Sequence, residues 1–600
     1  MSANPDIAGK VFPLRAISFG NPDVAVERRD DGTIYLRPKM PLGDYPVRLT
    51  DRLHHWAALE PNRIFMAERS AGGWRTINYA QLLTSARHVA SALLARGLSA
   101  EKPVVILSGN SIDHALIAFG ALYAGIPFCP VSPAYSLVSK DYGKLAFLMK
   151  LLTPGLVFAD DAGKFADALA ANVPAATEIA ASRGALPGRQ VTMLADLLAS
   201  PEHPRLDEIH DAIGPDTIAK FLLTSGSTGN PKAVINTQRM ICANQVMLRE
   251  TLAFLKDEPP VIVDWLPWNH TFGGNHNIGL TLYNGGSMYL DEGKPMPGGI
   301  EETVRNLREI SPTVYFNVPK GYESLLPYLR DDASLRRKFF HRLHAMFFSG
   351  AALSPYVWNS LDELAVQETG FRVPMLTGLG ATETAPFFMS VRPATSRSGH
   401  VGLPVSGNDA KLIPNNGKLE VRAKGPNITP GYWRQPELTA AAFDEEGFYK
   451  FGDALKPVDP DDFSAGFDFD GRIAEFVKPL LVERLRGQLR LAPIARRHVR
   501  PPGANFQFAV VRNQLRIVAQ HGKPDMARTA GGRPHRHEIG RGFGGAETGQ
   551  HRDAKAFFLH REFIKAIPDV RRQRRAREKH RLQPMEEFCA QRLVVAQVRQ

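Results

Sequence analysis

Cysteine is scarce in this chain of 600 residues: only Cys129, Cys242 and Cys589 occur, far apart in sequence. Three scattered thiols exclude a disulfide framework and a cysteine-held metal cluster, and a reduced cytoplasm is expected. Long hydrophobic runs are missing as well. No stretch of about 18 uncharged apolar residues occurs, so no membrane helix is expected. The opening Met1-Ser2-Ala3-Asn4-Pro5-Asp6 lacks the basic-then-apolar layout of a signal peptide. Aromatics are short in one place: residues 481–600 contain no Trp and no Tyr. That segment holds 26 Lys+Arg against 10 Asp+Glu, whereas the other 480 residues hold 47 against 51. The net charge of +12 is therefore a property of the last fifth, and the body carries no nucleic-acid footprint.

What remains is ordinary for a soluble globular protein, with 44% apolar and 9% aromatic residues. Six hundred residues exceed what one core supports, so several subdomains are expected. Residues 1–45 read as an irregular leader with a short hairpin around Asp31-Gly32. Across 46–400, helical periodicity alternates with apolar strands. Tyr79 to Gly97 is a helix ending on glycine, and Val104-Val105-Ile106-Leu107 is a buried parallel strand. Leu156–Phe158, Val261–Val263, Ser287–Leu290 and Met346–Phe348 are further strands. The fold class is α/β: a large N-terminal domain of layered sheets, then a small β-rich subdomain over 401–470.

The densest chemical signal is Thr224-Ser225-Gly226-Ser227-Thr228-Gly229-Asn230-Pro231-Lys232, directly after the apolar run Ile218–Leu223. Glycines let a backbone approach an anion closely, hydroxyls and free N–H groups wrap phosphate oxygens, and Lys232 adds a point charge. The spacing is not that of a Walker A loop. Four further stretches follow in order: Gly378-Leu379-Gly380-Ala381-Thr382-Glu383-Thr384; Gly417–Arg422 with Gly425-Pro426-Asn427 and Gly431-Tyr432-Trp433; Gly447–Asp453; and Asp470-Gly471-Arg472.

Taken together these stretches resemble the motifs of the adenylate-forming (AMP-binding) superfamily, over roughly residues 50–478. Arg48–Leu53, Pro130–Leu137, Asp264–His276 and Val314–Gly321 resemble feruloyl-CoA synthases most closely within it. The resemblance implies ATP, Mg²⁺ and coenzyme A. It implies an aryl carboxylic acid, a hydroxycinnamate such as ferulate, converted through an acyl-adenylate to an acyl-CoA with release of AMP and pyrophosphate. Thr224, Ser225, Gly226, Ser227, Thr228, Gly229 and Lys232 would grip the phosphates. Thr382 would contact the α-phosphate alongside Gly380 and Ala381, and Glu383 would ligate the metal. Asp453 would accept the ribose hydroxyls, with Arg472 reaching ribose or phosphate from the hinge side. His270 would lie beside the acyl site, with His276 and Asn275 near it. Tyr315, Phe316, Gly378 and Gly380 would wall a flat slot, the glycines leaving room for a ring.

Residues 471–478 would be the hinge, with Glu475 where the family often has Asp and Lys478 at the family spacing. Residues 479–600 occupy the lid position yet lack its glycine-rich opening and its lysine motif, and carry 22 Arg against 4 Lys. We read them as translated from a shifted frame or otherwise replaced; a divergent folded lid is the other reading. Either way, adenylation and transfer to CoA are expected to be impaired. A CoA ligase for another aryl or medium-chain acid, a catalytically inert binding protein and a nucleic-acid-binding tail are the alternatives. The near absence of stacking aromatics weighs against the last.

Overall fold

The computed structural model describes residues 12–225 and 229–473. The hinge residues Glu475 and Lys478, the Arg-rich segment 479–600, and Gly226, Ser227 and Thr228 lie outside that set. The described residues form four sheets. In the first, strands Phe128–Pro130, Val104–Leu107, Leu156–Ala159, Glu178–Ala181 and Thr192–Met193 run parallel. They are almost wholly buried, as near-continuous apolar runs with helices on both faces should be. A hairpin of Ile218–Ser225 and Pro231–Thr237 closes one side of this sheet. Helix Tyr79–Ala95 begins with a reciprocal cap between Asn78 and Gln81 and is followed by Gly97 at φ +65°. It packs on helix Ile112–Tyr123 so closely that a Cβ on Gly120 would come within 2.3 Å of Val89 Cγ1.

Strands Val261–Asp264, Ser287–Leu290 and Ile64–Ser70 run parallel in a second sheet, with Gly73–Asn78 antiparallel at its end. Val314–Asn317, Ala345–Phe348 and Met375–Leu376 form a third, all parallel. The two are tied where Thr313 donates to Val261 O at 3.0 Å. The α/β architecture expected from the sequence is the one observed.

The fourth sheet has nine strands and reaches beyond 401–470. It takes in the leader's hairpin, Val24–Arg28 with Ile34–Pro38, at one end, and Phe387–Ser390 with Gly378–Gly380 at the other. Ile34, Leu36, Leu412 and Val421 share its buried face. Among the described residues, no helix is long and apolar enough to cross a membrane.

A charged residue interrupts the apolar pattern of the first sheet. Lys220 sits mid-strand, 6% exposed, and donates from Nζ to Gly274 O at 2.9 Å. With His114, Phe119, Phe128, Trp268 and Asn275 it lines a cavity of about 30 Å³, room for about one water. Burial pulls its pKa down to about 7. The unfolded lysine keeps its proton to about pH 10.4, so between those values the unfolded state binds more protons and stability rises with pH. The charge penalty is complete below pH 7 and absent above about pH 10.4.

Two stability measurements follow from this packing. Gly120→Ala should lower unfolding free energy by about 1–3 kcal/mol through overpacking against Val89, read from the urea midpoint. Lys220→Met should be more stable than the parent at pH 7, with a gain that shrinks as pH approaches 10. Each tenfold weakening of proton binding on folding costs about 1.4 kcal/mol. The gain at pH 7 is therefore several kcal/mol before the lost bond to Gly274 is subtracted. A difference that does not change with pH would contradict a buried amine of this kind.

Candidate active site

Both described ends of the hydroxyl-rich stretch belong to the hairpin of Ile218–Ser225 and Pro231–Thr237. Thr224 faces Lys232 and Ser225 faces Pro231 across it, and Gly229 turns the chain at φ +85°. The ends of the stretch at 224–225 and 231–232 are held by ladder hydrogen bonds. It emerges at the carboxyl end of a strand of an open α/β sheet, where such folds place their ligands.

Two other motif segments are bound to this hairpin through the backbone. Ile235 donates to Gly431 O at 3.1 Å and Trp433 to Ala233 O at 2.9 Å. Thr429 joins all three: its Oγ1 donates to Ile235 O at 2.7 Å and its N–H to Glu383 O at 2.8 Å. The hairpin strand Pro231–Thr237 and the Thr382–Thr384 turn therefore lie side by side. That turn is pinned from below. Asn244 and Asn427, both buried, each donate to Phe387 O, and Asn427 also reaches Thr384 O at 2.8 Å.

The side chains meet at Tyr432. Its hydroxyl donates to Glu383 Oε1 at 3.0 Å, and Lys232 Nζ stands 4.9 Å from its ring centre. Lys232 and Glu383 thus lie against one aromatic spacer, cation on the ring and carboxylate at the hydroxyl. Tyr449 interacts with Glu383 and Tyr432; burial, then the Glu383 charge and Tyr432, push its phenol far above the usual range. Thr382 and Ala381 are partly exposed beside the buried Glu383, and Gly380 is exposed.

Further along the same strand, Asp453 is 7% exposed and register-paired with Arg472. Arg472 Nε comes to 3.2 Å of Asp453 Oδ1, but without hydrogen-bond geometry, and that oxygen has no other partner among the described residues. Burial raises the Asp453 carboxyl, and Arg472 offsets this in part. Arg472 itself is 81% exposed. A buried carboxylate with an unused acceptor is suited to neutral hydroxyl donors.

His270 is exposed on the turn ahead of a π-helix, Phe272–Asn277. Nothing among the described residues ties its imidazole to Lys232 or Glu383. Asn275 and His276 are buried inside the π-helix. The proposed slot walls do not assemble. Adjacent strand residues face opposite ways, so Tyr315 packs on Tyr322 and Phe339 while Phe316 meets His276. The space beside Gly378 and Gly380 is filled by Met389 O and Pro386 O, at 2.1 and 1.7 Å from where a Cβ would lie. These glycines allow strand contact rather than leave room for a ring. Tyr432 is the working residue that sequence reading left without a role. Its signal was present, a tyrosine inside the Gly431-Tyr432-Trp433 motif.

Comparison with known proteins gives the family. The profile of the AMP-binding enzyme family matches residues 53–433. An anthranilate–CoA ligase of Pseudomonas aeruginosa is 29% identical over 242 residues, 39% of this chain and 43% of that protein. A long-chain-fatty-acid–CoA ligase of Homo sapiens is 25% identical over 505 residues, 75% of this chain and 67% of that one. The chain thus spans less than half the length of the first of these relatives. The ATP-bound MatB structure from Rhodopseudomonas palustris superposes with a TM-score of 0.54 at 24% identity. It covers 70% of this chain and 78% of MatB, a likeness of fold. With more than half its residues inside the profile, this chain belongs to the AMP-binding enzyme family.

Proposed function

We infer that the chain is an ATP-dependent acid–thiol ligase that converts a hydroxycinnamate such as ferulate to its acyl-CoA. The observation that carries this reading is the placement of Lys232 on the ring of Tyr432 and of Glu383 at its hydroxyl, where three motif segments meet. The CoA ligases among its relatives support the reaction class, and by their names they act on chemically different acids.

In the first step a carboxylate oxygen of the acid attacks the α-phosphorus of ATP. The new P–O bond forms as the bond to the bridging oxygen breaks, and pyrophosphate leaves with that electron pair. Two anions meet, so oriented donors and positive charge must offset their repulsion. Lys232 and the hydroxyls of Thr224, Ser225, Ser227 and Thr228 would take the departing phosphates, with Gly226 and Gly229 giving backbone access. Thr382, between Ala381 and Glu383 and close after Gly380, would hold the α-phosphate. His270 would stand beside the acid.

Mg²⁺ fits this donor set. No cluster of three or more ligating side chains exists among the described residues, and one carboxylate with phosphate oxygens and water is a common way to hold this ion. Glu383 would be that carboxylate; bound there, the ion would neutralise charge on the phosphates. Asp453 would accept both ribose hydroxyls on its unused oxygen, with Arg472 alongside. In the second step the sulfur of coenzyme A attacks the acyl carbon and AMP departs. The Arg-rich segment at the lid position lacks the family's lysine motif, so both steps should be slower than in a full family member.

Two measurements test the reading. Ferulate should stimulate ATP–pyrophosphate exchange more than a medium-chain fatty acid does; no stimulation by any acid would overturn the assignment. Asp453→Asn should weaken AMP binding about 10- to 100-fold, the worth of losing charge-assisted hydrogen bonds. Its melting temperature should hold or rise, because a buried charge is removed. Parallel loss of affinity and melting temperature would mean that Asp453 serves the fold.

A further inference from the structure

A buried amine that the steps above leave unused ties the strand of the hydroxyl-rich stretch to the turn that carries His270. Lys220 lies on strand Ile218–Ser225, four residues before Thr224, and donates from Nζ to Gly274 O at 2.9 Å. Gly274 donates in turn to His270 O at 2.8 Å, and His270 to Pro267 O at 3.0 Å. This turn is closed tightly. A Cβ on Gly273 would come within 2.4 Å of Leu266 O, and one on Gly274 within 2.2 Å of Trp268 O. Asn110 holds the other end, donating to Leu266 O at 2.9 Å and accepting from Trp268 N at 3.1 Å. Segment 266–274 is therefore fastened twice, by Asn110 at its start and by Lys220 at its close. Backbone packed this closely moves as a unit, so a shift at Gly274 reaches His270.

Fastening a carbonyl with a buried ammonium lowers stability, as the pH argument for Lys220 showed. No carboxylate lines its cavity. Among the lining residues the other titratable group is His114, on helix Ile112–Tyr123; burial holds its pKa down to about 4, so it is neutral. From the neighbouring strand the Phe128 ring faces the amine, its centre 5.2 Å from Nζ. Retaining an uncompensated charge that an apolar side chain could replace calls for a role other than stability. The charge does strengthen the fastening. A charge-assisted hydrogen bond is roughly twice as strong as a neutral one.

The two segments that Lys220 joins carry the two halves of the reaction. Thr224 opens the stretch that would take the phosphates, and His270 would stand beside the acid. Reacting atoms must be held about 3–3.5 Å apart and aligned, and a misplacement of about 1 Å costs about 100-fold in rate.

We propose that Lys220 is a positioning residue that fixes the His270 turn against the strand leading to Thr224, and so sets the acid against the α-phosphate. This rests on the ligase reading above. The test follows ferulate-stimulated ATP–pyrophosphate exchange by the full chain with Mg²⁺, beside ATP affinity by calorimetry and melting temperature. Lys220→Met should lower kcat for exchange about 10- to 100-fold. Its ATP affinity should stay at the parent's value and its melting temperature should rise at neutral pH. The parent-to-variant ratio of kcat should shrink as pH rises through about 7, where the parent loses its charge. Lys220→Gln, which keeps an N–H donor without a charge, should recover part of kcat and hold a constant ratio to Lys220→Met across pH. Equal kcat in the parent and folded Lys220→Met would overturn the proposal alone. A loss of kcat that tracks a lower melting temperature, at a ratio independent of pH, would do the same. If Lys220→Met does not fold, the amine serves the fold and the proposal fails. Absence of exchange by the parent with any acid would overturn the ligase reading with it.

Discussion

The hydroxyl of Tyr432 on the Glu383 carboxylate is the contact on which the candidate site depends. It spans three motifs that are remote in sequence and holds a cation and an anion apart by one ring. Without a spacer, Lys232 and Glu383 would be free to neutralise each other, and neither would be left for a ligand. With it, the lysine rests on the ring and the carboxylate stays buried and oriented. The backbone reinforces this, because Thr429 bonds both Ile235 and the Glu383 carbonyl. Preorganised charges of this kind cost nothing to rearrange when a phosphate arrives.

Much of the architecture was legible because local chemistry and periodicity agree with the final fold. Asn78 and Gln81 cap the helix that Gly97 ends, and the runs at 104–107 and 156–159 are apolar because both faces are covered. The gathering of motif segments could also be inferred, since order along the chain constrains which loops converge at strand ends. The reach of the nine-stranded sheet could not. Ile34–Leu36 pair with Ala410–Leu412, nearly 380 residues on, and nothing local in either segment names its partner.

The candidate acyl pocket was the least legible part, for a reason of parity. Tyr315 and Phe316 are neighbours in a strand and so face opposite sides, and periodicity alone does not say which side meets the site. The π-turn compounds this. It shifts the register of everything after Phe272, carrying His276 into the core and leaving His270 outside. Lys220 and Asp264 are polar exceptions within buried apolar strands. Both are buried charges whose ionisation the protein suppresses, drawn from opposite directions to about 7.

The antiparallel bridge between Val234 and Tyr432 has one more consequence. Strand Pro231–Thr237 is the outermost member of the first sheet, and an uncovered border strand is a template on which foreign chains can stack. Segment 429–433 lies along it and occupies those positions. The same residues that hold the Thr382–Glu383 turn to the hairpin therefore cover this border strand, and a lesion that frees the Tyr432 segment would expose it to pairing with other chains.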